Sequence, residues 1–232
     1  MLKNKNLIFI LIGLMVLGGL FYFVYKNQND LSNQTASISE TDKQNNNSSN
    51  ISVLDNEIVI GNPNAPVTMV EFSKYSCSHC LAFQEQTLPK IMNNYIKNGQ
   101  LNLVVRRVSP PALSVAAICA DKQGEFEKVD EYIFNNVIDL YKEVNGIKEQ
   151  EKIQAIVSNW IEGVAKETEI NQDRFKECLS SEKNLEMVNY WFDQVESNDI
   201  TGTPTFFVND NMITGNQPYS EFEKVINQAL GL

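Results

Sequence analysis

The chain has one histidine, four cysteines and two tryptophans in 232 residues, and its 19 Lys and Arg are outnumbered by 29 Asp and Glu. Each shortage excludes something. A structural zinc site draws four ligands, mostly Cys and His, from paired spacings. Here Cys77 and Cys80 form one pair, but Cys119 and Cys178 stand far apart and neither belongs to a second. The single imidazole, His79, lies two residues from Cys77 on a helical turn and points away from it, which argues against a hydrolytic Cys/His pair. A formal net charge of −10 argues against a nucleic-acid partner and for a mildly acidic, soluble surface; it identifies no ligand.

One apolar run stands out, unbroken from Leu7 to Tyr25 and containing Ile8, Phe9, Leu11, Leu14, Val16, Leu20 and Phe23. Roughly 20 such residues cross a bilayer as a helix. Lys3 and Lys5 precede the run and only Lys26 follows closely. The positive-inside bias therefore makes residues 1–26 a cytosolic stub and single-pass signal anchor in the cell membrane, with the body extracytoplasmic, in the periplasm or on the outer face. The competing reading is a cleaved signal peptide and a secreted body; the run is long for an h-region, and no A-x-A-type site follows it directly. Residues 27–56, rich in Asn, Ser, Gln and Thr, cannot bury enough apolar surface to fold and read as a disordered linker. The remainder is ample for a core. In an oxidising compartment its even number of cysteines suits disulfide chemistry.

Residues 57–108 open on a buried strand, Val67–Phe72, and end on another, Leu101–Val105, with an amphipathic helix between them. Such a βαβ unit is expected to be parallel and right-handed. Pro89 falls inside the helix and predicts a kink or break near residues 86–89. Residues 109–197 carry only helical periodicities: Phe126, Val129, Ile133, Val137 and Leu140 make one stripe; Ile153, Val157, Trp160 and Val164 a second; Leu185, Val188, Trp191, Phe192 and Val195 a third. These are packing faces rather than a cofactor box, and they predict an all-helical insertion. Residues 198–232 supply Thr205–Val208, a turn through Asn209-Asp210-Asn211 and Met212–Thr214, a predicted hairpin. A helix with Phe222, Val225, Ile226, Ala229 and Leu230 on one face closes the α/β domain.

The pair in Tyr75-Ser76-Cys77-Ser78-His79-Cys80 lies where the first strand gives way to that helix. Cys77 would sit at the helix start, where free backbone N–H groups and the helix dipole favour its thiolate. Cys80, three residues on, shares its helical face and can close a disulfide ring with it. His79, if protonated nearby, adds a second stabiliser of a thiolate. The pattern reads as a redox dithiol.

Cys77-Ser78-His79-Cys80 after a strand, a long helical insertion, and Thr201-Gly202-Thr203-Pro204-Thr205 leading into Phe206-Phe207-Val208 together resemble the thioredoxin superfamily, and within it the DsbA-like thiol:disulfide oxidoreductases. The likeness covers roughly 57–232. It is sharpened by Gly61-Asn62-Pro63-Asn64-Ala65-Pro66, by Glu71 ahead of Cys77, and by Ala116-Ala117-Ile118-Cys119-Ala120 followed by Gln123-Gly124-Glu125-Phe126. Two features depart from the family: Ser109-Pro110-Pro111-Ala112 after the second strand is short, and no amino-terminal dimerisation domain precedes the catalytic one, which tells against an isomerase role.

The resemblance implies a thioredoxin-like fold and an enzyme that introduces disulfides into reduced, unfolded exported proteins. It implies Cys77 as nucleophile, Cys80 as its shielded partner, and His79 as a thiolate stabiliser. Pro204 would follow a cis bond facing the cysteines, and Thr203 would offer its backbone to an extended substrate. The only cofactor would be the Cys77–Cys80 disulfide, reoxidised by a quinone-linked membrane thiol oxidase, DsbB-like or VKOR-like. Glu71 reads either as a buried proton acceptor for Cys80 or as a partly exposed acid at a strand end. Cys119 and Cys178, each in an apolar helical setting, read either as a structural disulfide within the insertion, as some DsbA-like proteins have, or as two small buried hydrophobes. Two rival functions stay open: a membrane-tethered thiol reductase, against which His79 leans, and a non-enzymatic peptide-binding or chaperone module, against which the intact CxxC leans.

Overall fold

A computed structural model describes residues 51–232. The stub and anchor assigned to 1–26 and the linker up to residue 50 lie outside the described residues. Among those described, no helix is long and apolar enough to cross a membrane. The linker assignment also reached 56, but Ile51 onward is tied to the body: the Ser52 carbonyl accepts hydrogen bonds from Arg106 Nη2 at 2.5 Å and from Tyr190 Oη at 2.7 Å.

Five strands form one sheet in the order β1-β3-β2-β4-β5. The central strand β2 (Val67–Ser73) runs parallel to β3 (Leu101–Arg107), as expected for a βαβ unit. The short β1 (Ile58–Ile60) pairs antiparallel with β3 at one edge. On the other side β4 (Thr205–Val208) pairs antiparallel with β2, and β5 (Asn211–Thr214) with β4. The hairpin turn is shorter than its sequence suggested: Asn211 already pairs with Val208, so Asn209 and Asp210 alone make the loop, with Asn209 at φ 51°.

Between β2 and β3 the chain is helical throughout but changes pitch: α1 (Ser78–Ala82), a π-helical turn π1 (Phe83–Thr87), α2 (Leu88–Ile91), and a second π turn, π2 (Met92–Ile96). Pro89 does not break this run. Pro89 has no N–H to give an α-helical partner four residues back, and the wider π turn immediately before it takes up the change, leaving Pro89 in the first turn of α2.

The segment after β3 is five helices: α3 (Pro111–Asp121), α4 (Phe126–Val144), α5 (Gln150–Glu167), α6 (Gln172–Leu179) and α7 (Glu182–Ser197). Pro110 and Pro111 start α3 where missing N–H groups cost nothing. Every residue from Leu113 to Ala120 is buried, so α3 is the hub of the insertion. The α4 stripe is buried as its spacing predicts. In α5 only Val164 of its stripe is fully buried. The α7 stripe needs correcting: its buried face runs through Asn184, Val188 and Trp191, while Phe192, a further 100° round the helix, is 37% exposed. The terminal helix α8 (Tyr219–Leu230) lays Phe222 and Ile226 against β2 and β4. There Phe83, Phe206 and Phe222 form a cluster of rings with centroids 4.4–5.5 Å apart.

Candidate active site

The turn before β2 sets where that strand starts. Gly61 has φ +97°, and a Cβ there would come 2.6 Å from Ile96 Cγ2, so only glycine fits. Asn102 Nδ2 then holds the turn through the carbonyls of Asn62 (3.3 Å) and Pro63 (3.2 Å). From there β2 runs through the sheet centre and brings Cys77 to the N-cap of α1, with φ −98° and ψ 115°. The Cys77 carbonyl accepts the first helical bonds, from Cys80 N–H at 3.0 Å and Leu81 N–H at 3.1 Å.

On the far side, β4 begins immediately after a loop in which Thr203–Pro204 is a cis peptide. Thr205 Oγ1 donates to the Gly202 carbonyl at 2.8 Å and Gly215 N–H to the Pro204 carbonyl at 2.8 Å, fixing that loop. This brings Thr203 against the cysteines: Cys77 Sγ donates to the Thr203 carbonyl at 3.2 Å.

Both cysteines are reduced, and their surroundings separate them. Burial alone would raise the half-buried Cys77 thiol, but hydrogen bonds from the Thr203 and Cys80 side chains and from the N–H groups of Cys80 and His79 outweigh it, and its pKa is lowered. The contact to the Thr203 carbonyl serves only the thiol; the thiolate gives it up and keeps the donors. Cys80 is fully buried, and burial pushes its thiol up to about 12. His79 is exposed, and no hydrogen bond joins its ring to either sulfur among the described residues.

Glu71 is fully buried in β2 rather than half exposed at its end. Its carboxylate receives Gln84 Nε2 at 3.1 Å and Arg107 Nη1 at 2.9 Å; no hydrogen bond links it to Cys80 among the described residues. Burial raises its pKa, against the opposing pull of the Arg107 guanidinium. Arg107, at the end of β3, is itself buried and also bonds Asp130 of α4 through Nε (2.8 Å) and Nη2 (2.6 Å), as well as Ser73 Oγ. Asp130 receives the Tyr75 hydroxyl at 2.7 Å. The apolar pattern ends β3 at Val105 and gives no hint of this network. Two signals were available: adjacent arginines closing an apolar strand, and an aspartate in the middle of the buried face of α4. The other arginine, Arg106, pairs with Glu57 through two bonds of 2.8 Å.

Cys119 of α3 and Cys178 of α6 are joined by a disulfide, with Cα atoms 5.7 Å apart. Among the described residues, no three His, Cys, Asp or Glu side chains converge as metal ligands.

The thioredoxin family model matches residues 54–228. Disulfide bond formation protein D of Bacillus subtilis is 29% identical over 175 residues, covering 74% of this chain and 76% of that one. BdbD from Bacillus subtilis, in its oxidised crystal structure, superimposes with a TM-score of 0.59 at 26% identity, over 76% of this chain and 94% of that one. Wolbachia pipientis alpha-DsbA1 shares the fold, with a TM-score of 0.60 at 23% identity over 77% of this chain and 93% of that one. With a strand, a dithiol at a helix start and a helical insertion in the same order, this chain belongs to the thioredoxin family, as a DsbA-like thiol:disulfide oxidoreductase.

Proposed function

We propose that the chain acts as an oxidase outside the cytosol, introducing disulfide bonds into exported proteins through Cys77 and Cys80. What supports this direction is the contrast between the two sulfurs: a half-buried Cys77 with a lowered pKa and a buried Cys80 raised to about 12. Whatever stabilises the reduced pair makes its disulfide the better electron acceptor.

In the oxidised protein a substrate thiolate attacks Cys77 Sγ, the bond to Cys80 breaks, and Cys80 leaves as a thiolate that takes up a proton. Glu71 donates that proton and recovers it on reoxidation. A second substrate thiolate then attacks the substrate sulfur of the mixed disulfide, and Cys77 departs as a thiolate. Two electrons have moved from the substrate to the Cys77–Cys80 pair, with no cofactor beyond the sulfurs. The Thr203 backbone, beside the cis Pro204, pairs with the extended substrate, and His79 favours the Cys77 thiolate. Residues 7–25 hold the body at the membrane, where a quinone-linked thiol oxidase reoxidises it.

The test is to mix the oxidised protein with a reduced, unfolded protein and count substrate thiols lost. Wild type consumes two per molecule and Cys77→Ser none; full activity in Cys77→Ser would show the nucleophile to be another group.

A further inference from the structure

The buried network around Glu71 holds two carboxylates, Glu71 and Asp130, on one guanidinium, Arg107. The two are not held alike. Asp130 takes the planar fork of Nε and Nη2 and the Tyr75 hydroxyl besides, so two of its three hydrogen bonds come from the guanidinium. Glu71 takes a single guanidinium arm, Nη1, with the amide of Gln84 and the Ser73 hydroxyl. Three buried charges of which two are negative leave one in excess, and the less supported carboxylate is the one that a proton neutralises at least cost. That carboxylate is Glu71.

Location makes this count. Gln84 lies one turn beyond Cys80, and helical side chains lean toward the preceding turn, so its bond to Glu71 sets the carboxylate beneath the turn that carries Cys80. Gln84 and Asp130 also line a groove of about 560 Å³ between α1–π2 and α4, so the groove ends at the edge of the buried network. Asp130 belongs to the insertion and Glu71 to the sheet, so the insertion reaches the buried charges through Asp130, with Phe126 and Phe134 packed against the same guanidinium.

We propose that Asp130 and Arg107 are positioning residues for the exchange reaction: Asp130 clamps the guanidinium so that Glu71 is only partly compensated and remains the group that trades a proton with Cys80. This rests on the proton role proposed for Glu71. When a mixed disulfide at Cys77 is resolved, the Cys80 thiol passes its proton to the Glu71 carboxylate, the Cys80 sulfur attacks Cys77 Sγ, and the bound thiol leaves as a thiolate. The groups facing Glu71 are Arg107 from β3, Asp130 from α4, Gln84 from π1 and Ser73 on its own strand, with Tyr75 bonded to Asp130; its neighbour on β4 is Phe206, which is uncharged.

The experiment monitors release of the second thionitrobenzoate when the reduced full-length protein reacts with dithiobis(nitrobenzoate), across pH. Asp130→Asn removes one negative charge, frees Arg107 for Glu71, and should lower the midpoint of the pH profile by about one unit; Asp130→Glu should restore it. In a Glu71→Gln background Asp130→Asn should shift nothing. A shift that persists in that background, or no shift from Asp130→Asn in a protein whose profile does change with Glu71→Gln, overturns the positioning role alone. A profile indifferent to Glu71→Gln overturns the proton role itself, and this proposal with it. An Asp130→Asn protein that fails to fold is replaced by Tyr75→Phe, which keeps the Asp130 charge but takes a donor from it, so that Asp130 draws more on Arg107 and the midpoint should rise slightly; an unmoved or lowered midpoint counts against the proposal.

Discussion

Cys77 and Cys80 carry the same functional group in different surroundings, and their behaviour toward pH should differ accordingly. Reduced protein should alkylate at Cys77 with a midpoint below that of an ordinary thiol, while Cys80 stays unmodified until the pH approaches about 12. Mass spectrometry of iodoacetamide-treated protein checks this, and early modification of Cys80 would contradict it. Stability follows the same asymmetry. The Cys77 thiol is lowered on folding, so its stabilising effect is complete above the unfolded pKa of roughly 8.5 and fades as pH falls through the folded value. Reduced protein should therefore gain stability over oxidised protein as pH rises through that window, measured as the difference between their urea midpoints. His79→Ala should stabilise the disulfide relative to the dithiol and make the couple more reducing by on the order of tens of millivolts; an unchanged or more oxidising potential would remove His79 from the mechanism. At this scale the sequence was most legible for Cys77, Cys80 and Glu71, whose spacing is local. Tyr75, Arg107 and Asp130 were not legible, because a charge is recognised as buried only when its distant partner is known.

Elements were legible wherever their pattern is internal to them. The strands β2 and β4, the hairpin and the stripe of α4 follow from alternation or from a 3.6-residue repeat. The short β1 has too few residues to show a period, and β3 runs two residues further than its apolar run because Glu57, Glu71 and Asp130 neutralise its arginines from three other parts of the chain. Phe192 was assigned to the wrong face because helix stripes leave a residue at the margin free to turn either way. Gly61→Ala forces an L residue to φ +97° with its Cβ against Ile96 and should cost about 2 kcal/mol in urea unfolding while leaving exchange activity intact. Replacing Cys119 and Cys178 together by Ala opens a link between residues 59 apart and should cost about 4 kcal/mol on the chain-entropy model, again with exchange activity retained. Peptide mapping without reductant checks the link directly; free Cys119 and Cys178 would refute it.

Over the whole molecule, a five-stranded sheet carries the dithiol and the cis-proline loop on adjoining strands, and the helical insertion reaches the sheet's buried charges through Asp130. The architecture could be read early because order along the chain, strand then CxxC helix then long insertion then Thr-Pro strand, is itself a pattern. The direction of electron flow could not, since it depends on a small difference in free energy between dithiol and disulfide. Equilibrating the Cys77–Cys80 couple with glutathione measures that difference. An oxidase should give a potential less negative than about −200 mV, while a value near −270 mV, the range of thioredoxin, would contradict the account and make the protein a reductase.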